Sequence, residues 1–500
     1  MGAALLLRDV LDGFTVAASA GELDATLALP VTGITDDSRA VAPGDVFVAV
    51  TGQAADGHRY AAAALEAGAV AVLAERAVAE AAGPVLLVDD LKAARSTLAG
   101  RVFGAPSQRL TSVGVTGTNG KTSIACFVAE LSERLGEAAG YLGTIGWGRL
   151  GALASSALTT ESAINVQRRL AALADSGCAW AVLEVSSHAL DQRRVDGVSF
   201  DFAVFSNLSR DHLDYHGTFE AYGKAKARLF HFPELRGAVI NGDDPFGRRL
   251  AEELQGSVPV FLYGSGPEAD VRWSDLEFHN AGVRGTLTTP WGAGPFEVPL
   301  FGDFSVANAV AALAVLCAAG KPFSAVCEAL GTLTAVPGRM EFFPGQRTLL
   351  VDYAHTPDAL EKMLRALTPH RRGRILCVCG CGGDRDRGKR PEMAAAACAH
   401  ADAVWLTSDN PRSEDPRAII EDMLAGVPAG AVVEIEVDRL AAIEGAFAAA
   451  RPEDLVVIAG KGHEDYQEIA GERLPFSDRQ VAADLAAGRR PRLVNVEESV

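Results

Sequence analysis

The hexapeptide GTNGKT at residues 117–122 constrains this chain more than any other feature. It follows an apolar run, residues 110–115, that reads as a buried strand, and it precedes an amphipathic stretch, residues 122–135, that reads as a helix. Glycines permit the tight turn between the two, so that successive N–H groups and the helix N-terminus point at one anion. Lys121 then supplies a cation for outer phosphates, and the Thr122 hydroxyl an oxygen for a magnesium ion. The strict GxxxxGK[ST] spacing fails, because its first position falls on Val115 and the glycines stand at Gly114 and Gly117. The local variant, with Gly117, Thr118, Asn119 and Gly120 leading into Lys121 and Thr122, is the candidate nucleotide-phosphate site. An ordinary glycine turn is the competing reading.

At 500 residues the chain exceeds what one core serves, and about three domains fit the usual domain size. The formal net charge of -18 argues against nucleic acid or an anionic membrane as partner, since phosphates would be bound against the overall field. Small ligands are expected instead. The N-terminal apolar run is broken by Arg8 and Asp9, too early for a secretory signal. The most apolar helix candidate, residues 305–320, contains Asn308 and falls short of the roughly 18 residues of a membrane span. A cytoplasmic protein is the expectation. Cys377, Cys379 and Cys381 alternate, which puts all three on one face of a strand. Small apolar strand residues explain them more simply than a metal site, which needs a fourth ligand.

Three blocks divide the chain. Residues 1–105 alternate short apolar runs (46–50, 69–73, 85–88) with alanine-rich helical stretches, the pattern of an α/β domain. Residues 106–336 begin at the strand before the glycine loop and add strands at 179–185 and 202–205, whose C-terminal ends carry polar residues. Open parallel sheets bind ligands there. Residues 337–500 repeat the arrangement, with strands at 348–351, 374–378, 403–407 and 455–459, each followed by a polar loop. A second doubly wound unit is predicted; without GxGxxG, dinucleotide binding has no support.

The segments EVSSH at 184–188 and NLSRDHLDYHG at 207–217 stand at strand ends beside the glycine loop. Glu184 and His212 are candidate magnesium partners alongside Thr122, because hard cations take oxygen ligands and keep waters. For His212 a satisfied hydrogen-bonding histidine competes, since imidazole is a poor magnesium ligand. The helix at 222–230, with Lys224, Lys226 and Arg228, reads equally well as a solvated basic face. Arg339, and the DYAHTP segment at 352–357, could close over a nucleotide. Three further loops, at 382–390, 409–412 and 460–465, end strands of one predicted sheet. Arginine forks bind carboxylates and an acid holds an ammonium group, so Arg390, Arg412 and Glu464 suit an amino acid with more than one carboxylate. Exposed charged turns are the alternative.

The motifs TGTNGKT, EVSSHAL, NLSRDHLDYHG, PGRME, DYAHTPD, GCGGDRDRGKRP, DNPR and GKGHEDYQ run in this order over almost the whole chain. Together they resemble the Mur ligase family, and within it the members that add meso-diaminopimelate. The resemblance implies three α/β domains: an N-terminal UDP-binding domain, a central P-loop-type parallel-sheet ATPase domain and a C-terminal Rossmann-like domain. It implies that Ser38 and Gln53 hold uridine diphosphate, and that Thr159, Thr160, Ser186, Gln192 and Arg194 hold the muramoyl dipeptide. Residues 117–122, with Asn308, Arg339 and His355, match the ATP site. Arg390, Asp409, Asn410, Pro411, Arg412, Gly460 and Glu464 match the site of the incoming amino acid. Lys121, Glu184, His212 and Lys226 carry over as catalytic groups, with magnesium held by Thr122, Glu184, His212 and a carbamylated Lys226. A carbamate turns that lysine into an anion, which replaces the solvated-face reading.

One departure is visible: Leu158 stands before Thr159 where some relatives carry asparagine, so that contact is absent or replaced. The implied reaction passes the ATP γ-phosphate to the D-glutamyl γ-carboxylate of UDP-N-acetylmuramoyl-L-alanyl-D-glutamate, and the amine of meso-diaminopimelate attacks the acyl phosphate. The implied setting is peptidoglycan precursor synthesis by a cytoplasmic monomer, with the third block closing on the second to exclude water. A lysine-adding ligase, a folylpolyglutamate-synthetase-like relative and a P-loop switch or ATPase without ligation are the alternatives. The Ser38 region and DNPR oppose the folate reading, and the missing NKxD motif opposes a guanine-reading switch.

Overall fold

The computed structural model describes residues 4–52, 55–78, 82–279 and 282–491. The chain divides into two compact units, Met1–Tyr263 with Ala314–Gly320, and Gly264–Leu313 with Lys321–Val500. Each of three principal sheets falls within one of the three blocks drawn from composition.

In the first unit, a five-stranded sheet runs in the order Val16–Ala20, Val85–Val88, Ala71–Ala74, Asp45–Ala49 and Gly33–Thr35. The last four are parallel, and the first pairs antiparallel at the edge. Val46 and Val48 pack in one cluster with Leu73 and Leu86, while Phe47 and Ala49 pack in another with Val72 and Val85. A strand buried on both faces needs an unbroken apolar run, which is why these segments do not alternate with polar residues.

The second sheet of this unit contains Val260–Gly264, Gly237–Asn241, Phe202–Phe205, Thr111–Thr116, Trp180–Glu184, Ala139–Gly143 and Gly146–Arg149, in that order. All are parallel except the terminal hairpin. The first of these strands in the sequence, Thr111–Thr116, sits in the middle. Later strands are laid down on both of its sides, so its C-terminal end is the point where connections diverge and a crevice opens.

The second unit holds a three-stranded antiparallel meander, Val271–His279, Gly282–Thr289 and Gly292–Val298. Its main sheet orders Glu341–Phe343, Thr348–Asp352, Leu455–Ala459, Ile375–Cys379, Ala403–Leu406 and Val433–Ile435. Again only the first strand is antiparallel. Leu350, Cys377 and Val457 face one core, and Leu349, Leu376 and Val456 the other. Cys381 lies past the end of Ile375–Cys379, so the three cysteines share a core and not a strand; all three are buried thiols. Among the described residues no helix is long and apolar enough to cross a membrane.

Candidate active site

Register places the phosphate loop beside its partners. Val115 pairs with Glu184 and Thr116 with Phe205, so both neighbouring strands end level with the loop. The loop is then fastened to the segment after Phe202–Phe205: Thr118 N donates to Asn207 O (2.8 Å), Asn119 N to Asn207 Oδ1 (3.1 Å), and Ser209 N to Thr118 Oγ1 (3.0 Å). Gly117 has φ +147°, and a Cβ there would lie 1.9 Å from Ser206 Oγ, so no larger residue fits. The following helix, Lys121–Arg134, has Gly120 at its N-cap and no side-chain cap, which leaves its first N–H groups to an anion.

Two lysine amines converge on this loop. Lys121 Nζ donates to Gly117 O (2.8 Å) and Thr118 O (2.9 Å), and Lys226 Nζ donates to the same Gly117 O (2.8 Å). Lys226 is 1% exposed, on the helix Phe219–Ala227. Burial first, and then the charge of Lys121, push its pKa well below the ordinary lysine range. A neutral amine is the form that condenses with carbon dioxide. The solvated-face reading therefore fails for Lys226, whereas Lys224 is exposed on the same helix.

Glu184 is 1% exposed and fully engaged. Tyr141 OH and Thr144 N (2.9 Å) donate to Oε1, and Thr144 Oγ1 (3.1 Å) to Oε2. His212 lies with His188, His216 and Tyr215 in one ring cluster, its centroid 4.8 Å from that of His188. Burial lowers the pKa of His212, and that of His188 to about 4, so both rings are neutral near pH 7. Among the described residues no three acidic, cysteine or histidine side chains gather as a metal cage. The oxygens of Thr122 and Glu184 are of the donor type that magnesium takes, a neutral His212 is a poor ligand for it, and Lys226 would suit it only as an anion.

A second network adjoins Glu184. Thr159 Oγ1 lies 3.1 Å from Thr144 Oγ1, and Thr160 Oγ1 donates to Glu184 O (2.8 Å) and accepts from Ser186 N (3.0 Å). Arg194 donates to Thr160 O (2.7 Å) and to Gln192 Oε1 (2.6 Å from NH2). Thr159, Thr160, Ser186, Gln192 and Arg194 are thus one connected surface. Ser38 stands apart, on the short turn Ser38–Ala40 of the first sheet. Gln53 lies outside the described residues. Arg95 links the two regions electrostatically: it is 3.7 Å from Asp36, and after burial it is the next cause lowering the Arg194 pKa. Sequence reasoning missed Arg95, Tyr141, Thr144 and Tyr222. A tyrosine and a threonine three residues apart at the end of an otherwise apolar strand were the available signal.

In the second unit, loops at the C-terminal strand ends are tied to one another. Gly383 N donates to Asn410 O (2.9 Å), and a Cβ on Gly383 would lie 1.9 Å from Pro411 O. Arg412 has φ +54°, donates from NH1 to Gly383 O (2.7 Å) and places Nε 3.5 Å from Glu468 Oε2. Asn410 Nδ2 donates to Glu464 Oε2 (2.9 Å), and Lys461 Nζ reaches both side chains. A Cβ on Gly460 would lie 2.5 Å from Asp409 Oδ2, so glycine is required there. Arg390 is buried, with Glu414 (2.7 Å) and Asp422 (2.8 Å) on its guanidinium. Both terminal nitrogens meet these carboxylates, while its Nε is buried without a hydrogen-bond partner. Arg339 stacks over Tyr353 (4.2 Å), whose ring also meets His355 (4.6 Å). Asn308 is buried in the helix Asp303–Ala318. A cavity of about 730 Å³ in this unit, lined by Phe296, Phe323, Cys327 and Glu328, contains none of these residues.

Residues 30–100 match the Mur ligase family catalytic domain, 115–316 the Mur ligase middle domain, and 338–462 the Mur ligase glutamate ligase domain. A phosphate loop on one parallel sheet and tied loops on another are the outline of that class, and the chain belongs to the Mur ligase family. It is 48% identical to the UDP-N-acetylmuramoyl-L-alanyl-D-glutamate--2,6-diaminopimelate ligase of Chromobacterium violaceum, over 93% of this chain and 96% of that one. The enzyme of the same name from Pseudomonas aeruginosa is also 48% identical, over 92% and 96%. A solved structure of a ligase of this name superposes with a TM-score of 0.72 at 38% identity, covering 97% of this chain and 99% of that chain.

Proposed function

We propose that this protein joins meso-diaminopimelate to the D-glutamyl γ-carboxylate of UDP-N-acetylmuramoyl-L-alanyl-D-glutamate in an ATP-dependent reaction of cytoplasmic peptidoglycan precursor synthesis. The observation that carries this reading is the tied loop set in which Arg412, Asn410 and Glu464 stand together, a carboxylate partner next to an ammonium partner. Relatives nearly half identical over almost full length, and named for this reaction, support it.

In this reading, the uncapped helix N-terminus and Lys121 bind the ATP phosphates. Lys121 exchanges its bonds to Gly117 and Thr118 carbonyls for phosphate oxygens, so the transferring group meets a cation already in place. Thr159, Thr160, Ser186, Gln192 and Arg194 orient the muramoyl dipeptide, and Ser38 holds the uridine end. Thr122, Glu184, His212 and a carbamylated Lys226 would hold magnesium, which would neutralise charge on the phosphates. The carboxylate takes the γ-phosphoryl group from ATP and releases ADP, the neutral diaminopimelate amine adds to the acyl carbon, and phosphate leaves as the amide forms and its nitrogen gives up a proton to water or the departing phosphate. Nearby cations stabilise the oxyanion of the tetrahedral intermediate.

Relative to lysine, diaminopimelate brings one more carboxylate, and an arginine left without it loses a charge-assisted partner. Arg412→Ala is expected to raise KM for meso-diaminopimelate by about tenfold or more, with KM for ATP within about twofold. Steady-state kinetics with each substrate varied checks this, and equal loss of both would remove the assignment.

A further inference from the structure

The geometry points to Lys461 as a positioning residue that fixes the acceptor for the incoming amino acid's ammonium group and favours a zwitterionic end over a bare amine. This inference rests on the proposed ligase reading. Lysine is rarely buried without a task for its charge, and the Lys461 side chain is 0% exposed in the turn after Leu455–Ala459. Its Nζ donates to Asn410 Oδ1 (3.0 Å) and to Glu464 Oε2 (3.0 Å).

Asn410 completes a closed triangle. Its Oδ1 accepts from Lys461 and also from Glu468 N (2.9 Å), while its Nδ2 donates to Glu464 Oε2 (2.9 Å). Two donors on Oδ1 exclude the flipped amide, so the Asn410 orientation is set by Lys461 and a backbone N–H. Glu464 Oε2 is held by both neighbours, and Oε1 is left as the oxygen for an arriving ammonium group. Held at Oε2, Glu464 has one orientation instead of several rotamers before substrate arrives.

The charges carry the selectivity. Lys461 and Glu464 form one ion pair, and Arg412 and Glu468 stand as a second beside it. Each pair is neutral in itself, with the Asp409 carboxylate close by at Gly460. A zwitterionic end, with its ammonium at Glu464 and its carboxylate at Arg412, adds no net charge. The distal amine of lysine adds one cation to a carboxylate whose charge Lys461 already shares, and it leaves Arg412 without a substrate partner.

The test uses the full chain carrying Lys461→Met, Lys461→Arg or Glu464→Gln, with kinetics for meso-diaminopimelate, L-lysine, ATP and the nucleotide-sugar substrate. Lys461→Met is expected to raise KM for meso-diaminopimelate by about tenfold or more, the scale of one lost bond to a charged group, with KM for the other two substrates within about twofold. The ratio of kcat/KM for diaminopimelate over lysine is expected to fall at least about fivefold. Lys461→Arg keeps the charge but not the compact donor, so its KM rises while that ratio is retained. Should Lys461→Met not fold, the retained ratio in Lys461→Arg is the deciding measurement, and a fallen ratio there overturns the inference. An unchanged diaminopimelate KM in Lys461→Met, beside a raised one in Glu464→Gln, overturns the role of Lys461 and leaves the ligase reading standing. A joint shift of all three KM values with the thermal midpoint marks a structural lysine and also overturns it. Unchanged diaminopimelate KM in both Glu464→Gln and Arg412→Ala defeats the ligase reading itself.

Discussion

At the scale of single residues, Lys226 shows how environment changes what a side chain can do. In sequence it is one of several cations on a helix; in the fold it is 1% exposed, 2.8 Å from Gly117 O and 4.4 Å from the centre of the Tyr222 ring. Burial beside Lys121 favours the uncharged amine, and a carbamate on that amine would return an anion to a site with two lysines. Lys226→Ala is therefore expected to lower ligase activity by about 100-fold or more, the scale of a lost electrostatic stabiliser. Added formate or acetate is expected to restore part of that activity, because a small carboxylate can occupy the vacated volume. Unimpaired turnover in Lys226→Ala would contradict this account. Glu184 illustrates the complement: its carboxylate is oriented by Tyr141 and Thr144, neither of which a motif search singles out.

At the scale of elements, the strand–loop–helix unit is the most demanding piece of the fold. Adding one methyl group at Gly117 meets Ser206 Oγ in a backbone region that side chains disfavour, a strain of about 1–3 kcal/mol. Gly117→Ala is expected to weaken an ATP analogue by about tenfold or more in titration calorimetry, and unchanged affinity would contradict the cradle. The loop set of the second unit has a different signature, in its response to acid. Hydrogen bonds from Arg390 hold the Glu414 carboxyl down at about 2, against 4.5 for an ordinary glutamate. Between those values the unfolded chain binds more protons, so the stability due to this pair rises with pH. It is complete above about pH 4.5 and lost as pH falls toward 2. The difference in denaturant midpoint between the wild type and Glu414→Gln is expected at pH 7 and should shrink below pH 4. A difference at pH 3 as large as the one at pH 7 would count against the pair.

These elements also mark what was legible in the sequence. Strands buried on both faces announce themselves as apolar runs, and Phe202–Phe205, Val85–Val88 and Leu455–Ala459 lie where those runs placed them. The antiparallel meander was missed, because Val271–His279 buries only part of its length and its polar residues dilute any pattern. Sequence shows the Arg390 cation but not the Glu414 and Asp422 carboxylates that flank it. Lys461 lay within a recognised motif, yet only the fold shows that it touches Asn410, 51 residues away in sequence.

At the scale of the whole molecule, the proposed reading has the acidic chain meet anionic substrates through local cations: a helix N-terminus with Lys121, Arg194 with Arg95 nearby, and Arg412. The overall charge of -18 opposes nonspecific anion binding, so affinity has to come from built geometry. In the proposed reaction, phosphate release is coupled to amide formation with one particular amino acid. The direct measurement is phosphate release from ATP and magnesium with UDP-N-acetylmuramoyl-L-alanyl-D-glutamate, comparing meso-diaminopimelate, L-lysine and no amino acid. Strong release with tripeptide product only in the presence of meso-diaminopimelate is predicted. Release that is indifferent to both the sugar substrate and the amino acid would contradict the ligase assignment and leave an ATPase.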